Sequence, residues 1–205
     1  MSIKDNPTST NKPAVPVQQS VVKPTAAAPV TEAGSGRYQV LAVLRVVTGL
    51  MFLWAFVDKA FGWGYSTSSN QAWINGGSPT KGFLAHVEVG PFQSMLRDWA
   101  GTGWANWLFM LALFGVGLAL VLGIGMRVAA VSGTLLLALM WIAEWPLARF
   151  DSTGAATSST NPIIDYHFIY IFVVIALAVF AAGNTWGFGR QWAKLDIVAR
   201  NPWLR

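Results

Sequence analysis

The sequence predicts an all-α membrane protein, a four-helix transmembrane bundle with short helices in its first outer loop. Three observations carry this prediction. The chain is 54% hydrophobic and only 11% charged, with a mean hydropathy of +0.46, too apolar for an ordinary soluble domain. Its apolar residues gather in four runs, about 38–59, 104–125, 128–146 and 162–182. Each is close to the ~20 residues that cross a hydrocarbon core at 1.5 Å per residue. Eleven Trp and 20 Gly suit lipid–water interfaces and spanning helices.

Residues 1–37 precede the first run and are rich in Pro, Ala, Thr, Ser and Lys, with no aromatic residue. Such a segment cannot bury enough surface to offset its ordering entropy, so a disordered cytoplasmic tail is expected. It has no apolar core of the secretory type, which leaves the first span to act as an uncleaved signal. That span carries Arg45 about 10 Å from its start and closes on Asp58 and Lys59. The outer loop that follows, about 60–103, reads GGSPTKGFLAHVEVGPFQSMLRDWAG at its centre. Ser78 and Pro79 form a helix start and Gly90-Pro91 a break, which predicts two short helices over the bundle mouth. Spans two and three are joined by a very short turn ending at Arg127, so they are antiparallel neighbours. Gly115, Ala119 and Gly123 share one helix face, as do Ala129 and Gly133, and such faces admit close backbone approach in lipid. The fourth span opens NPIIDYHFIY: Asn161 is read as the cap, Pro162 as the first helical residue, and Asp165 as a first-turn carboxylate favoured by the helix dipole. Residues 183–205 alternate basic and aromatic residues, as an interfacial segment does.

Lys and Arg set the orientation. Lys4, Lys12, Lys23, Arg37, Arg127, Arg190, Lys194, Arg200 and Arg205 fall on the side of the termini, against Lys59, Lys81, Arg97 and Arg149 opposite. The positive-inside rule puts both termini in the cytoplasm of a multi-pass cell-membrane protein. The net charge of +5 does not point to nucleic acid, because the cations are spread along the chain. Zero Cys excludes a disulfide, a thiolate-ligated iron–sulfur cluster and a covalently attached c-type haem within this chain.

Both histidines and most of the acids fall on the outer side. His167 lies roughly 7–8 Å along the axis from the helix start expected here. Two roles are open to it: a hydrogen bond to a neighbouring carbonyl, or proton exchange with a lipid-soluble ligand. Two residues apart on one helix, Asp165 and His167 would point to nearly opposite faces, whereas Tyr166 and Tyr170 would share one. Arg45 is a functional candidate because intramembrane Arg is costly. Its alternative is a contact with lipid phosphate or helix carbonyls. Asp58 and Lys59 either end the first span or join an outer polar cluster. His86 and Glu88 invite a metal reading with His167, but without HExxH, a paired HxH or Cys no metal is expected.

Three stretches together resemble the DoxX/DoxD membrane proteins: LRVVTGLMFLWAFVDKAFG (44–62), GLALVLGIGMRVAA (117–130) and the 161–187 segment. The residues carrying the likeness are Arg45 and Gly49, Lys59, the Gly117, Leu122, Gly123 and Arg127 turn, and Asp165 with His167. The resemblance implies an integral membrane subunit of a quinone-linked oxidoreductase, of which thiosulfate:quinone oxidoreductase is one type. It puts the site at the outer membrane edge, with other redox subunits as partners in the lipid bilayer. His167 and Asp165 are then the catalytic candidates. Tyr170, Trp145 and Arg45 are the quinone-binding candidates, and Lys59, Lys81 and Asp58 the substrate-binding ones. Residues 107–125 hold no acid, so no catalytic charge is expected in span two. The rival reading is a non-catalytic accessory subunit of a respiratory or redox complex.

Overall fold

The computed structural model describes residues 35–205, and every regular element among them is helical. The expected tail lies outside the described residues up to position 34. Ser35, Gly36 and Arg37, assigned to it from sequence, instead open the first helix, α1 (Ser35–Phe61).

Two short helices follow in the first loop, α2 (Lys81–Leu84) and α3 (Gln93–Trp99), and then α4 (Gly103–Leu122) and α5 (Met126–Glu144). The fourth apolar run yields a shorter helix, α6 (Tyr166–Val179), and the C-terminal segment adds α7 (Gly189–Trp192) and α8 (Asp196–Arg200). Three helices, α1, α4 and α5, are long and apolar enough to cross a membrane.

The bundle packs in sequence, α1 on α4, α4 on α5 and α5 on α6, with α6 touching α1 again. Phe52, Met110, Leu120, Leu137, Val174 and Leu177 fill its centre. Large apolar residues such as Val47, Leu108, Leu135 and Phe172 point outward and stay exposed, as lipid-facing side chains do. A close approach joins α1 and α4, where a Cβ on Gly117 would stand 2.9 Å from the Leu53 amide and 3.0 Å from the Gly49 carbonyl. Gly115, which the sequence pattern selects, has open space around it. Gly123 and Gly133 of the same pattern do sit at close approaches, to Gly183 and to Val116, so a period of four finds some contact glycines but is silent on which face meets the partner. At the α4–α5 turn Gly123 takes a left-handed conformation (φ 71°) and its amide returns to Ala119 O at 2.8 Å, a helix stop that favours Gly.

The first loop is fastened to the bundle from two directions. Val87 and Leu96 bury themselves against Ala143 near the end of α5. Asn106, buried in the first turn of α4, accepts from the Ser78 hydroxyl (2.9 Å), the Thr80 amide (3.1 Å) and the Thr80 hydroxyl (2.7 Å). Ser78 also accepts from the Lys81 amide at 3.2 Å, although α2 begins at Lys81 and Pro79 stays outside it. At the other end the C-terminal segment folds back on the α4–α5 turn, where the Arg127 guanidinium donates to Pro202 O at 2.9 Å.

Candidate functional site

The site grows from the junction of α5 and α6. Asn161 does not start the fourth helix. Its side-chain oxygen accepts from the amides of Ile163 (3.0 Å) and Ile164 (2.9 Å), which closes a local turn ahead of it. The chain stays non-helical through Pro162 to Asp165, whose backbone is extended (φ −107°, ψ −174°), and Asp165 is itself the N-cap of α6. Its Oδ1 accepts from the Phe168 amide at 2.8 Å. Because Asp165 stands before the helix, the opposite-face expectation for Asp165 and His167 fails. The free oxygen, Oδ2, lies 3.0 Å from His167 Nδ1.

Glu144, the last residue of α5, faces the same nitrogen: its Oε2 is 3.6 Å from His167 Nδ1, and its Oε1 accepts from the Tyr166 hydroxyl at 3.0 Å. Trp141 ties the two helices together, its indole N–H donating to Ile163 O at 2.8 Å. His167 is 1% exposed, Asp165 16% and Glu144 35% by side chain, so the three descend from surface to interior. The second ring nitrogen of His167, Nε2, is buried without a hydrogen-bond partner.

A cleft of about 850 Å³ opens onto Glu144, Asp165 and Tyr166. The carboxylates of Glu88 and Asp151, His86, and the hydroxyl-bearing run 157–160 also line it. Among the described residues lining it there is no Lys and no Arg, so its field is negative and favours cations. Asp151 is occupied locally. Its Oδ1 accepts from the Thr153 hydroxyl (2.7 Å), the Thr153 amide (2.8 Å) and the Ala155 amide (2.9 Å), which hold its carboxyl below the usual carboxylate range.

The family model for DoxX matches residues 40–145. The chain belongs to the DoxX family. No curated protein and no solved structure matches it. The DoxX match spans Arg45, Gly49, Gly117, Gly123, Arg127 and Glu144, and ends before Asp165 and His167. Three apolar helices and this membership make it a membrane protein.

Within this DoxX chain the residues singled out from sequence fall at several separate places. Asp165 lines the cleft and meets His167 Nδ1, which is buried behind it and outside the lining. Trp145 closes α5 in a left-handed conformation (φ 42°) and lies against Gly90, while Tyr170 packs half-buried on the central core. Neither lines the cleft. Asp58 is buried at the end of α1, accepting from the Ser66 amide (3.0 Å), the Ser66 hydroxyl (2.7 Å) and the Tyr65 amide (3.3 Å). It shapes the turn after the helix. Lys59 reaches Ser66 Oγ at 3.5 Å, and Lys81 lies along Gly101. Asp58, Lys59 and Lys81 are likewise absent from the cleft lining.

Arg45 sits at the far end of the bundle, separated from the cleft by the nineteen residues of α5, about 28 Å. It is fully buried and donates to the carbonyls of Leu120, Val121 (2.8 Å), Thr185 (3.5 Å) and Trp186 (2.9 Å). It therefore pins the end of α4 to the segment after α6. Sequence reasoning missed Glu144 and Tyr166 as members of the site. The signal was present in the pairing of an acid ending the third apolar run with an Asp-Tyr-His opening the fourth, since consecutive antiparallel helices bring those ends together.

Proposed function

We propose that this DoxX protein is a membrane subunit of a quinone-linked oxidoreductase, with the quinone headgroup bound beside His167. The observation that supports this most is the imidazole itself. One nitrogen faces two carboxylates at the cleft, and the other is buried and unpaired. An unpaired buried polar atom costs roughly 1–3 kcal/mol, and a quinone oxygen at Nε2 removes that cost. Reduction of a quinone adds two electrons and two protons and turns both C=O groups into C–OH. In this reading protons pass from the cleft to Asp165 and Glu144, to His167 Nδ1, and are delivered from Nε2. The electrons come from a donor subunit, because the chain has no Cys with which to hold a cluster. The negative cleft disfavours an anionic donor such as thiosulfate there, so we assign donor oxidation to that partner.

The same reading takes α6 with its flanking residues as a fourth crossing and both termini as cytoplasmic, following the Lys and Arg distribution. The test is purification in mild detergent with native partners retained, followed by extraction and mass analysis of bound quinone. One quinone per chain is expected, lost in His167→Ala while helicity by circular dichroism is kept. A quinone-free chain recovered only inside a larger respiratory assembly overturns the reading in favour of a non-catalytic accessory subunit.

A further inference from the structure

We propose that Glu144, Asp165 and His167 form a binding site for a divalent transition-metal cation, held by Glu144 Oε2, Asp165 Oδ2 and His167 Nδ1. Its remaining coordination positions open to the cleft.

The first support is convergence. The three donor atoms lie within 4.8 Å of one another, with His167 Nδ1 3.0 Å from Asp165 Oδ2 and 3.6 Å from Glu144 Oε2. Around an ion with bonds of about 2.0–2.2 Å, neighbouring donors stand roughly 3.0–3.6 Å apart. The carboxylate-to-carboxylate separation needs only a small inward turn of Glu144, the most exposed of the three.

The second support is how the donors are held. Each carboxylate has one oxygen already engaged: Asp165 Oδ1 by the Phe168 amide, and Glu144 Oε1 by the Tyr166 hydroxyl. That leaves the other oxygen of each aimed at the same imidazole nitrogen. Fixing a ligand through its spare atom is how an outer shell orients a metal site. The donors come from the end of one helix and the start of the next, and the Trp141–Ile163 bond locks that junction.

The third support is electrostatic and independent of the first two. The cleft adds Glu88 and Asp151 to the field, and among its described lining residues no Lys or Arg offsets them. Such a cleft concentrates cations. One imidazole and two carboxylates with no thiolate suit Zn²⁺, Mn²⁺ or Fe²⁺, and are a poor match for Cu⁺. A cation on Nδ1 replaces the proton relay through that atom and leaves the ring proton on Nε2, so that with the ion bound this nitrogen is a fixed hydrogen-bond donor toward the interior. This last consequence rests on the quinone reading, whereas the cation site stands without it.

The competing arrangement is a protonated Nδ1 shared between the carboxylates with no ion. Tag-free full-length chain in mild detergent, stripped with chelator, separates the two when dialysed against micromolar Zn²⁺ or Mn²⁺ and assayed by elemental analysis. Co²⁺ serves as a visible-absorption probe. One ion per chain is expected. Affinity should fall at least tenfold in Asp165→Asn, whose amide oxygen still caps α6, and in Glu144→Gln, on the other helix. Asp98→Asn, an exposed acid outside the cleft, should bind as the parent chain does. Absence of binding, or equal binding by both site variants, overturns the proposal. Quinone measured in the same samples keeps the two readings apart: metal without quinone sinks only the quinone reading, and quinone without metal sinks only this one.

Discussion

The two ends of the bundle each bury a polar ring or fork, and they do opposite things with it. At one end Arg45 is 0% exposed and faces backbone carbonyls, in packing so close that a Cβ on Gly123 would meet both its guanidinium and Gly183. At the other end His167 is 1% exposed and faces two carboxylates that remain partly open to a cleft. Arg45 is a cation at a helix C-terminus, where the dipole favours it, and carbonyl oxygens of its own chain take up both terminal nitrogens. His167 keeps an unused nitrogen, and its partners keep a route to water. Burial of an ionisable group therefore does not identify a site by itself. Arg45 Nε is also buried without a partner, so what distinguishes the His167 end is the opening onto its carboxylates.

The largest test of this contrast is Arg45→Leu. It strands the carbonyls of Val121 and Trp186 in a buried setting, so the folded state should lose about 3 kcal/mol or more, read as a lower unfolding midpoint in detergent. Ligand content per folded chain should not change, and a variant that stays stable but loses ligand would break the comparison.

Asn106→Ala sharpens it, because Asn106 is a structural pin on the same side as the cleft. Removing the acceptor shared by Ser78 and Thr80 should cost about 2 kcal/mol and raise amide exchange through residues 78–84, again without touching ligand content. The smallest effect belongs to Asp151. Its carboxyl is held low by the Thr153 hydroxyl first and then by amides of the same turn. The stabilisation is thus fully present above the unfolded value of about 3.9 and is lost as pH falls through the lower folded value. Exchange at Thr153 and Ala155 should rise only in that acid window, and Asp151→Asn should flatten the dependence.

Much of the fold was legible because length and hydropathy are one-dimensional properties. The long apolar runs emerged as α1, α4 and α5, with ends displaced by a few residues. The fourth run misled at its start. Asn161 and Pro162 satisfy every local rule for a helix beginning, but the Asn161 side chain closes its own turn and leaves the capping to Asp165. That shift of four residues put Asp165 off the helix and within reach of His167, which no helical spacing allows. Glu144 stayed unread for a different reason: its partner lies across a loop, beyond the reach of spacing rules that read one helix at a time. Tyr170, a quinone-binding candidate on the resemblance, packs on the core instead of lining the cleft.

The shortness of α6 has a consequence for the lipid rather than for the protein. Fourteen helical residues rise about 21 Å, against a hydrocarbon thickness of ~30 Å. A fourth crossing built on this helix is mismatched to the bilayer around it. If α6 crosses, as the proposed reading has it, local thinning of the membrane would meet the mismatch at a cost of fractions of a kcal/mol per ångström. Headgroups and water would then dip toward α6, and the imidazole at its first turn would come within reach of the aqueous phase with no pore through the bundle.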